Sequence, residues 1–243
     1  MEILFISDYV CPYCLVAKEA LRQALAETGL EAHITWQPYE LTPPPKDRVD
    51  TYHDAHRREK YQILNAPCAQ LGLDMKLPPN IVPRPYTRLA FQGWYYACDH
   101  GMGDAYNERM YRAYFIDELD IGDPDVLTHE AAALGLDAQD FRAALDRGTY
   151  AAVEAEAVDY ARNVLQPKGV PTIYIDGQKI ALQTFTREEM ADILLHRAAP
   201  QDGPTVLCSG DSCTYVPRQQ VVCNGDSCAL PQDEEEVPAI PVL

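Results

Sequence analysis

The alternation of apolar and polar positions divides the chain into a β-α-β opening, a long helical middle and a β-β-α close. Glu2 to Asp8 (EILFISD) is a short apolar run suited to a buried strand. From Pro12 to Glu27 the pattern turns helical, with Leu15, Leu21 and Leu25 on one side and Gly29 as a stop. Glu31 to Tyr39 alternates as a strand does, and Pro43, Pro44 and Pro45 then end regular structure. Between about Asp50 and Gln166 the signals are helical: an Ala-, Arg- and Tyr-rich stretch over Arg88 to Ala113, then Val126 to Leu134, Ala138 to Leu145 and Thr149 to Leu165. Asp123-Pro124 and Gly135 to Asp137 mark turns, and Leu77 to Pro85 (LPPNIVPRP) reads as an extended loop because proline is excluded from helix interiors. Strand character returns at Val170 to Ile175, Asp176-Gly177 predicts a hairpin turn, and Lys179 to Leu182 pairs back. Thr186-Arg187-Glu188-Glu189 is a capping-box pattern that opens a last helix reaching Arg197.

This order predicts an α/β protein with the sheet plan of a thioredoxin fold, β-α-β plus β-β-α, carrying a large helical insertion over about residues 50–166 within a domain of residues 1–199. After Ala199 the composition shifts to Pro, Gly, Asp, Gln and Glu, with an acidic run at Asp233 to Glu236, so residues 200–243 are expected to form an irregular, cysteine-containing tail. Within it VLCSGDSC (Val206 to Cys213) is nearly repeated as VVCNGDSC (Val221 to Cys228).

Charge narrows the partners. At a formal net charge of -17 over 243 residues, with no basic stripe to offset the field, nucleic acid and anionic membrane are excluded as partners. No apolar run approaches the roughly 20 residues that span a bilayer. Met1 leads straight into the first strand with no basic n-region and no small-residue cleavage site, which gives a cytoplasmic location as the expectation.

Eight cysteines are many for such a compartment, and six of them fall in close pairs: Cys11/Cys14, Cys208/Cys213 and Cys223/Cys228. The first pair, Cys11-Pro12-Tyr13-Cys14, sits where a strand passes into a helix. A cysteine there faces unpaired backbone amides and the positive end of the helix dipole, both of which favour thiolate over thiol. Cys11 is therefore the candidate nucleophile, and Cys14, a turn further in, the resolving thiol. Pro12 suits the first helical position. Cys-x-x-Cys also occurs in zinc ribbons, but here it opens an alanine- and leucine-rich helix inside a β-α-β pattern, which is the redox setting. Gly169-Val170-Pro171-Thr172 precedes the second strand pair, where a thioredoxin fold places a loop opposite the nucleophile and a cis proline exposes backbone groups to an incoming peptide.

Asp8-Tyr9-Val10-Cys11-Pro12-Tyr13-Cys14 near the start, the helical insert, and Gly-Val-Pro-Thr before a strand hairpin together resemble the DsbA family, and more narrowly its cytoplasmic FrnE-like branch, over about Glu2 to Arg197. The resemblance implies disulfide exchange with protein or peptide thiols, Cys11 as nucleophile, Cys14 as resolver and Pro171 as the cis proline, with Pro12, Tyr13, Val170 and Thr172 around the substrate. It implies no cofactor beyond the redox-active disulfide, with glutathione or thioredoxin as electron donor. Secreted DsbA-type oxidants have His where this chain has Tyr13. Cys-Pro-Tyr-Cys is also the glutaredoxin motif, and glutaredoxins sit near about -200 to -230 mV against about -120 mV for DsbA, so a reductase or isomerase is expected rather than a strong oxidant. A sister group of the same fold, the glutathione-dependent isomerases and kappa-class transferases, has Ser at the nucleophile position, and supplies the alternative reading with glutathione as ligand.

The tail pairs Cys208/Cys213 and Cys223/Cys228 each flank a Gly-Asp-Ser turn that can bring two Cα atoms within disulfide reach, about 4.4 to 6.8 Å. They are candidate secondary redox pairs relaying to Cys11 and Cys14. A four-thiolate metal site, which would make the chain a metal-thiolate binding protein, and simple stapling of a polar tail remain open beside that. Cys68 and Cys98 read as buried small hydrophobes. The six histidines show no metal-binding spacing, and His53, His56, Arg57, Arg58 and Lys60 read as one solvated helix. The tyrosines from Tyr95 to Tyr114 read as helix packing, some lining a groove for unfolded chain, so an associated holdase activity is compatible with the enzyme reading.

Overall fold

The computed structural model describes residues 1–198 and, beyond them, the backbone of 204–209, 212–217, 222–224 and 227–229. Strand β1 (Glu2–Ser7) lies at the centre of a four-stranded sheet of order β2-β1-β3-β4. It pairs in parallel with β2 (His33–Pro38), Phe5 opposite Trp36, and antiparallel with β3 (Thr172–Ile175), Phe5 opposite Ile173. β3 turns back through Asp176 and Gly177, both at positive φ (48° and 79°), into β4 (Gln178–Ile180). Paired positive φ values are the geometry that Asp-Gly supports most readily, so this turn follows directly from its two residues.

β1 is apolar at nearly every position because both of its faces are covered. Ile3 and Phe5 enter the main core, while Leu4 and Ile6 pack with Ala161 and Leu165 on the opposite side. Helix α1 (Pro12–Thr28) starts with Pro12 at its first position and ends at Gly29, whose φ of 67° lets its N–H reach the Leu25 carbonyl at 3.0 Å. Ala17, Ala20 and Ala24 are fully buried, so small side chains let α1 pack closely in the core. It packs against the last helix, which the structure places at Arg187–Ala198. The expected capping box there is only half formed: the Glu189 N–H donates to Thr186 Oγ1 at 3.2 Å, but the Glu189 carboxylate accepts the N–H groups of Gln183, Thr184 and Phe185.

The insertion is built from α2 (Ala55–Tyr61), a short 3-10 turn (Gln62–Leu64), α3 (Asn65–Leu71), α4 (Arg88–Asp99), α5 (Gly103–Phe115), α6 (Pro124–Ala133), α7 (Ala138–Arg147) and α8 (Ala151–Tyr160), the last running into a π turn (Ala161–Leu165). Asp54, Asp123 and Asp137 cap α2, α6 and α7 through their side chains, each satisfying backbone amides that a helix start leaves unpaired. The helical stretch over Arg88 to Ala113 divides into two helices at Gly101 (φ 71°). Close packing explains a glycine within α4 and the one that opens α5: a Cβ at Gly93 would collide with Tyr106 and Phe141, and one at Gly103 with the Cys98 sulfur. Cys98 is thus an exposed residue with its sulfur tucked against Gly103, whereas Cys68 is buried as expected. Leu77 to Pro85 is the loop that its prolines require, and among the described residues no helix is long and apolar enough to cross a membrane.

Within the stretch expected to be irregular, two short antiparallel pairs appear: β5 (Pro204–Ser209) with β6 (Ser212–Pro217), and β7 (Val222–Asn224) with β8 (Ser227–Ala229). The β-branched residues flanking each Gly-Asp pair suit strands, and Gly-Asp is itself a two-residue hairpin signal that outweighed the polar composition.

Candidate active site

The site is mounted on the carboxyl end of β1. After Ser7 the chain turns so that the Cys11 N–H donates to the Asp8 carbonyl at 3.0 Å. The Asp8 carboxylate accepts the Leu41 N–H at 2.7 Å and the Val10 N–H at 3.5 Å, tying this turn to the segment that follows β2. Tyr9 is held from the insertion, stacked on Phe91 (4.6 Å between centroids) and edge-on to Tyr111 (5.1 Å). Asp8 is fully buried, and desolvation outweighs the hydrogen bonds it accepts and the nearby Arg84 charge, so its carboxyl is pushed up to about 6.

Cys11 is the N-cap of α1, in extended backbone (φ -95°, ψ 113°), and its carbonyl accepts the N–H groups of Cys14 (3.1 Å) and Leu15 (3.4 Å). Its thiol donates to the Val170 carbonyl at 3.4 Å, across the cis bond joining Val170 to Pro171. Thr172 Oγ1 fastens that loop by donating to the Gly169 carbonyl at 2.7 Å. Cys14 lies one turn further in, at 0% exposure against 4% for Cys11, and both are free thiols. Burial first, and then a hydrogen bond with the Cys11 sulfur, push the Cys14 thiol well above its ordinary range. Two buried sulfurs separated by two residues thus have unlike roles open to them: Cys11 caps the helix and lines a cavity, and Cys14 lies a turn further in.

Two cavities flank Cys11. One, of about 340 Å³, is walled by Cys11, Pro12 and Tyr13 on one side and by His56, Arg57, Lys60 and Tyr61 of α2 on the other, with Arg84 from the proline-rich loop. The second, of about 440 Å³, runs along Gly169 to Ile173 and across to Leu182 and Phe185. Tyr13 borders both: its hydroxyl donates to the Lys60 carbonyl at 3.1 Å and its ring lies 5.5 Å from that of Phe185. Cys11, Cys14, Pro12, Tyr13, Val170, Pro171 and Thr172 are therefore brought together around one sulfur. Asp8, Arg84 and the basic face of α2 were not anticipated at the site. The α2 residues read as a solvated helix, and only tertiary packing turns His56, Arg57 and Lys60 toward Cys11. The one available signal for Arg84 was a lone cation within LPPNIVPRP.

The tail cysteines are placed by backbone register alone: Cys208 stands opposite Cys213, and Cys223 opposite Cys228. Directly opposed residues of an antiparallel pair have Cα atoms about 4.5 to 5.5 Å apart, inside the range a disulfide needs. Among the described residues, no three His, Cys, Asp or Glu side chains converge in a way that could hold a metal ion.

The family model of the DSBA-like thioredoxin domain matches residues 2–194. The chain belongs to this family. A curated relative, the uncharacterized protein YwbO of Bacillus subtilis (strain 168), is 37% identical over 176 residues, covering 72% of this chain and 86% of its own length. Among solved structures, the probable DsbA oxidoreductase SCO1869 of Streptomyces coelicolor superposes with a TM-score of 0.69 at 24% identity, covering 96% of this chain and all of its own (100%). The cytosolic disulfide reductase DsbM of Pseudomonas aeruginosa, solved with GSH, gives a TM-score of 0.59 at 18% identity, covering 81% of this chain and 98% of DsbM. Identities this low establish the shared fold, so this DsbA-family chain carries the scaffold of the DsbA-like thiol-disulfide oxidoreductases.

Proposed function

We propose that the chain catalyses thiol-disulfide exchange on protein or peptide substrates through Cys11 and Cys14, working as a reductase or isomerase. The observation that carries this reading is the Cys11 sulfur at the α1 N-cap, 3.4 Å from the Val170 carbonyl, with the fully buried Cys14 one helical turn further in. In the first step the Cys11 thiolate attacks one sulfur of a substrate disulfide, forming a mixed disulfide and releasing the other substrate sulfur as a thiolate that takes up a proton. In the second, Cys14 gives up its proton and attacks the Cys11 sulfur, releasing the second substrate thiol and leaving a Cys11–Cys14 disulfide. The substrate is reduced by two electrons and the enzyme oxidised by two. Asp8, whose buried carboxylate is close enough for its charge to act on Cys14 and is itself pushed up to about 6, is the carboxylate suited to accept the Cys14 proton. A dithiol or glutathione must then restore the reduced pair, and the cross-strand tail cysteines are suited to pass electrons to it.

Presence of sulfur rather than a serine hydroxyl at residue 11 favours exchange over glutathione-dependent isomerisation of small molecules. Catalysed reduction of insulin by dithiothreitol tests the reading. Activity in the wild type that is lost in Cys11→Ser supports it, and no activity in either protein overturns it for protein substrates.

A further inference from the structure

The cavity between Cys11 and α2 concentrates cations on a chain that is otherwise strongly acidic. Arg57, Lys60 and Arg84 line it, against one carboxylate among the described residues, Asp54, which is already paired with Arg57 at 3.1 Å. Lys60 and Arg84 have no carboxylate partner among the described residues. Arg84 is 6% exposed, its Nη2 donates to Thr42 Oγ1 at 2.6 Å, and its buried Nε has no hydrogen-bond partner. Asp8 is near enough to feel the Arg84 charge but forms no ion pair with it. A guanidinium fixed in place by Thr42, at the wall of a cavity that opens on the nucleophile and beside Lys60 at its rim, offers positive charge to an anion from outside the chain. The groove on the far side of Cys11 repeats the sign: Lys168 and Lys179 line it, and among the described residues no acidic one does.

We propose that this cavity holds a carboxylate of the substrate, so that the preferred substrate is an extended peptide whose reacting cysteine has Asp or Glu within one or two residues. The inference rests on the disulfide-exchange reading and names its substrate class. Arg84 supplies the fixed charge-assisted donor and Lys60 a mobile one at the rim, while Tyr13 keeps the peptide's two flanks in separate cavities. The overall negative field of the chain slows the approach of an acidic peptide, so the selectivity resides in the bound complex and not in long-range steering.

The test measures reduction of three disulfide peptides, identical except for Glu, Gln or Lys beside the cysteine, together with glutathione disulfide as a small carboxylate-bearing substrate. The full chain is compared with Lys60→Gln and Arg84→Gln, and a thermal melt of each variant reports folding. The Glu peptide is expected to react about tenfold faster than the Gln peptide, as one charge-assisted hydrogen bond gives, with the Lys peptide slowest. Both variants are expected to lower the Glu-to-Gln ratio, and the exposed Lys60 keeps the test open if Arg84→Gln does not fold. Equal rates for the Glu and Gln peptides overturn the inference while leaving exchange intact. A preference confined to glutathione disulfide also overturns it, in favour of a small-molecule carboxylate. No reduction of any peptide sinks the exchange reading itself.

Discussion

The chain places cysteines close together in two quite different ways. At the start of α1 two residues separate Cys11 from Cys14, and the helix makes them unequal: one caps the helix and touches the Val170 carbonyl, the other is sealed a turn below. In the hairpins four residues separate each pair, and the strand register makes the members equal, each directly opposite the other. Inequality is what a two-step exchange needs, since one sulfur must meet the substrate and the other must wait. Equality favours a pair that closes on itself and opens as a unit. Spacing alone therefore says little about cysteine chemistry until the element that carries it is known.

That contrast breaks first at the nucleophile. Cys11→Ser is expected to lower insulin reduction by about a thousandfold or more, while the paired replacement of Cys208 and Cys213 by Ser leaves a single turnover of pre-reduced enzyme unchanged, as stopped-flow mixing would show. If both lose equally, the hairpin belongs to the first step. Next, Cys14→Ser is expected to accumulate the Cys11 mixed disulfide with substrate, seen as added mass in intact-protein spectra. Replacing one hairpin cysteine should give no such adduct at Cys11.

A pH profile sharpens the unequal pair. Asp8 sits near 6 against an ordinary 3.8, so it stays protonated through more of the acid range and can take the Cys14 proton only as pH rises through about 6. The rate of mixed-disulfide resolution is expected to climb through that region in the wild type, and Asp8→Asn to flatten the climb and slow resolution several-fold. The same raised value has a stability sign. The folded state binds the proton more tightly than the unfolded chain, so folding loses stability as pH rises from about 3.8 to about 6 and keeps that penalty above it. Asp8→Asn removes the penalty, so the pH dependence of the melting temperature in that window should weaken even if the lost Leu41 contact lowers the melting temperature overall. The smallest effect concerns the hairpins. Reducing all tail pairs is expected to shift the melting temperature of the body by no more than about 2 °C, because each closed loop is short.

Much of this architecture follows from local pattern. β1, α1, β3 and β4 are readable because a strand covered on both faces needs an unbroken apolar run, and because Gly29 and Asp176-Gly177 occupy positions where the backbone takes positive φ. Cys11, Cys14 and Pro171 are readable because a helix start and a facing loop impose residue types. The cavity wall is not readable in the same way. His56, Arg57 and Lys60 form an ordinary polar helix until the insertion packs it beside Tyr13, and Arg84 is buried by loops whose path no periodicity encodes.

β1 is paired on both edges and packed on both faces, and Cys11 follows it after a turn of three residues. Its amide protons should be among the slowest in the chain to exchange with heavy water, opening only with global unfolding. The reacting sulfur is therefore anchored to the stiffest part of the molecule, whereas the walls that face it come from an inserted helix and two loops. Such a division lets the walls be remodelled for new clients while the position of the sulfur stays fixed.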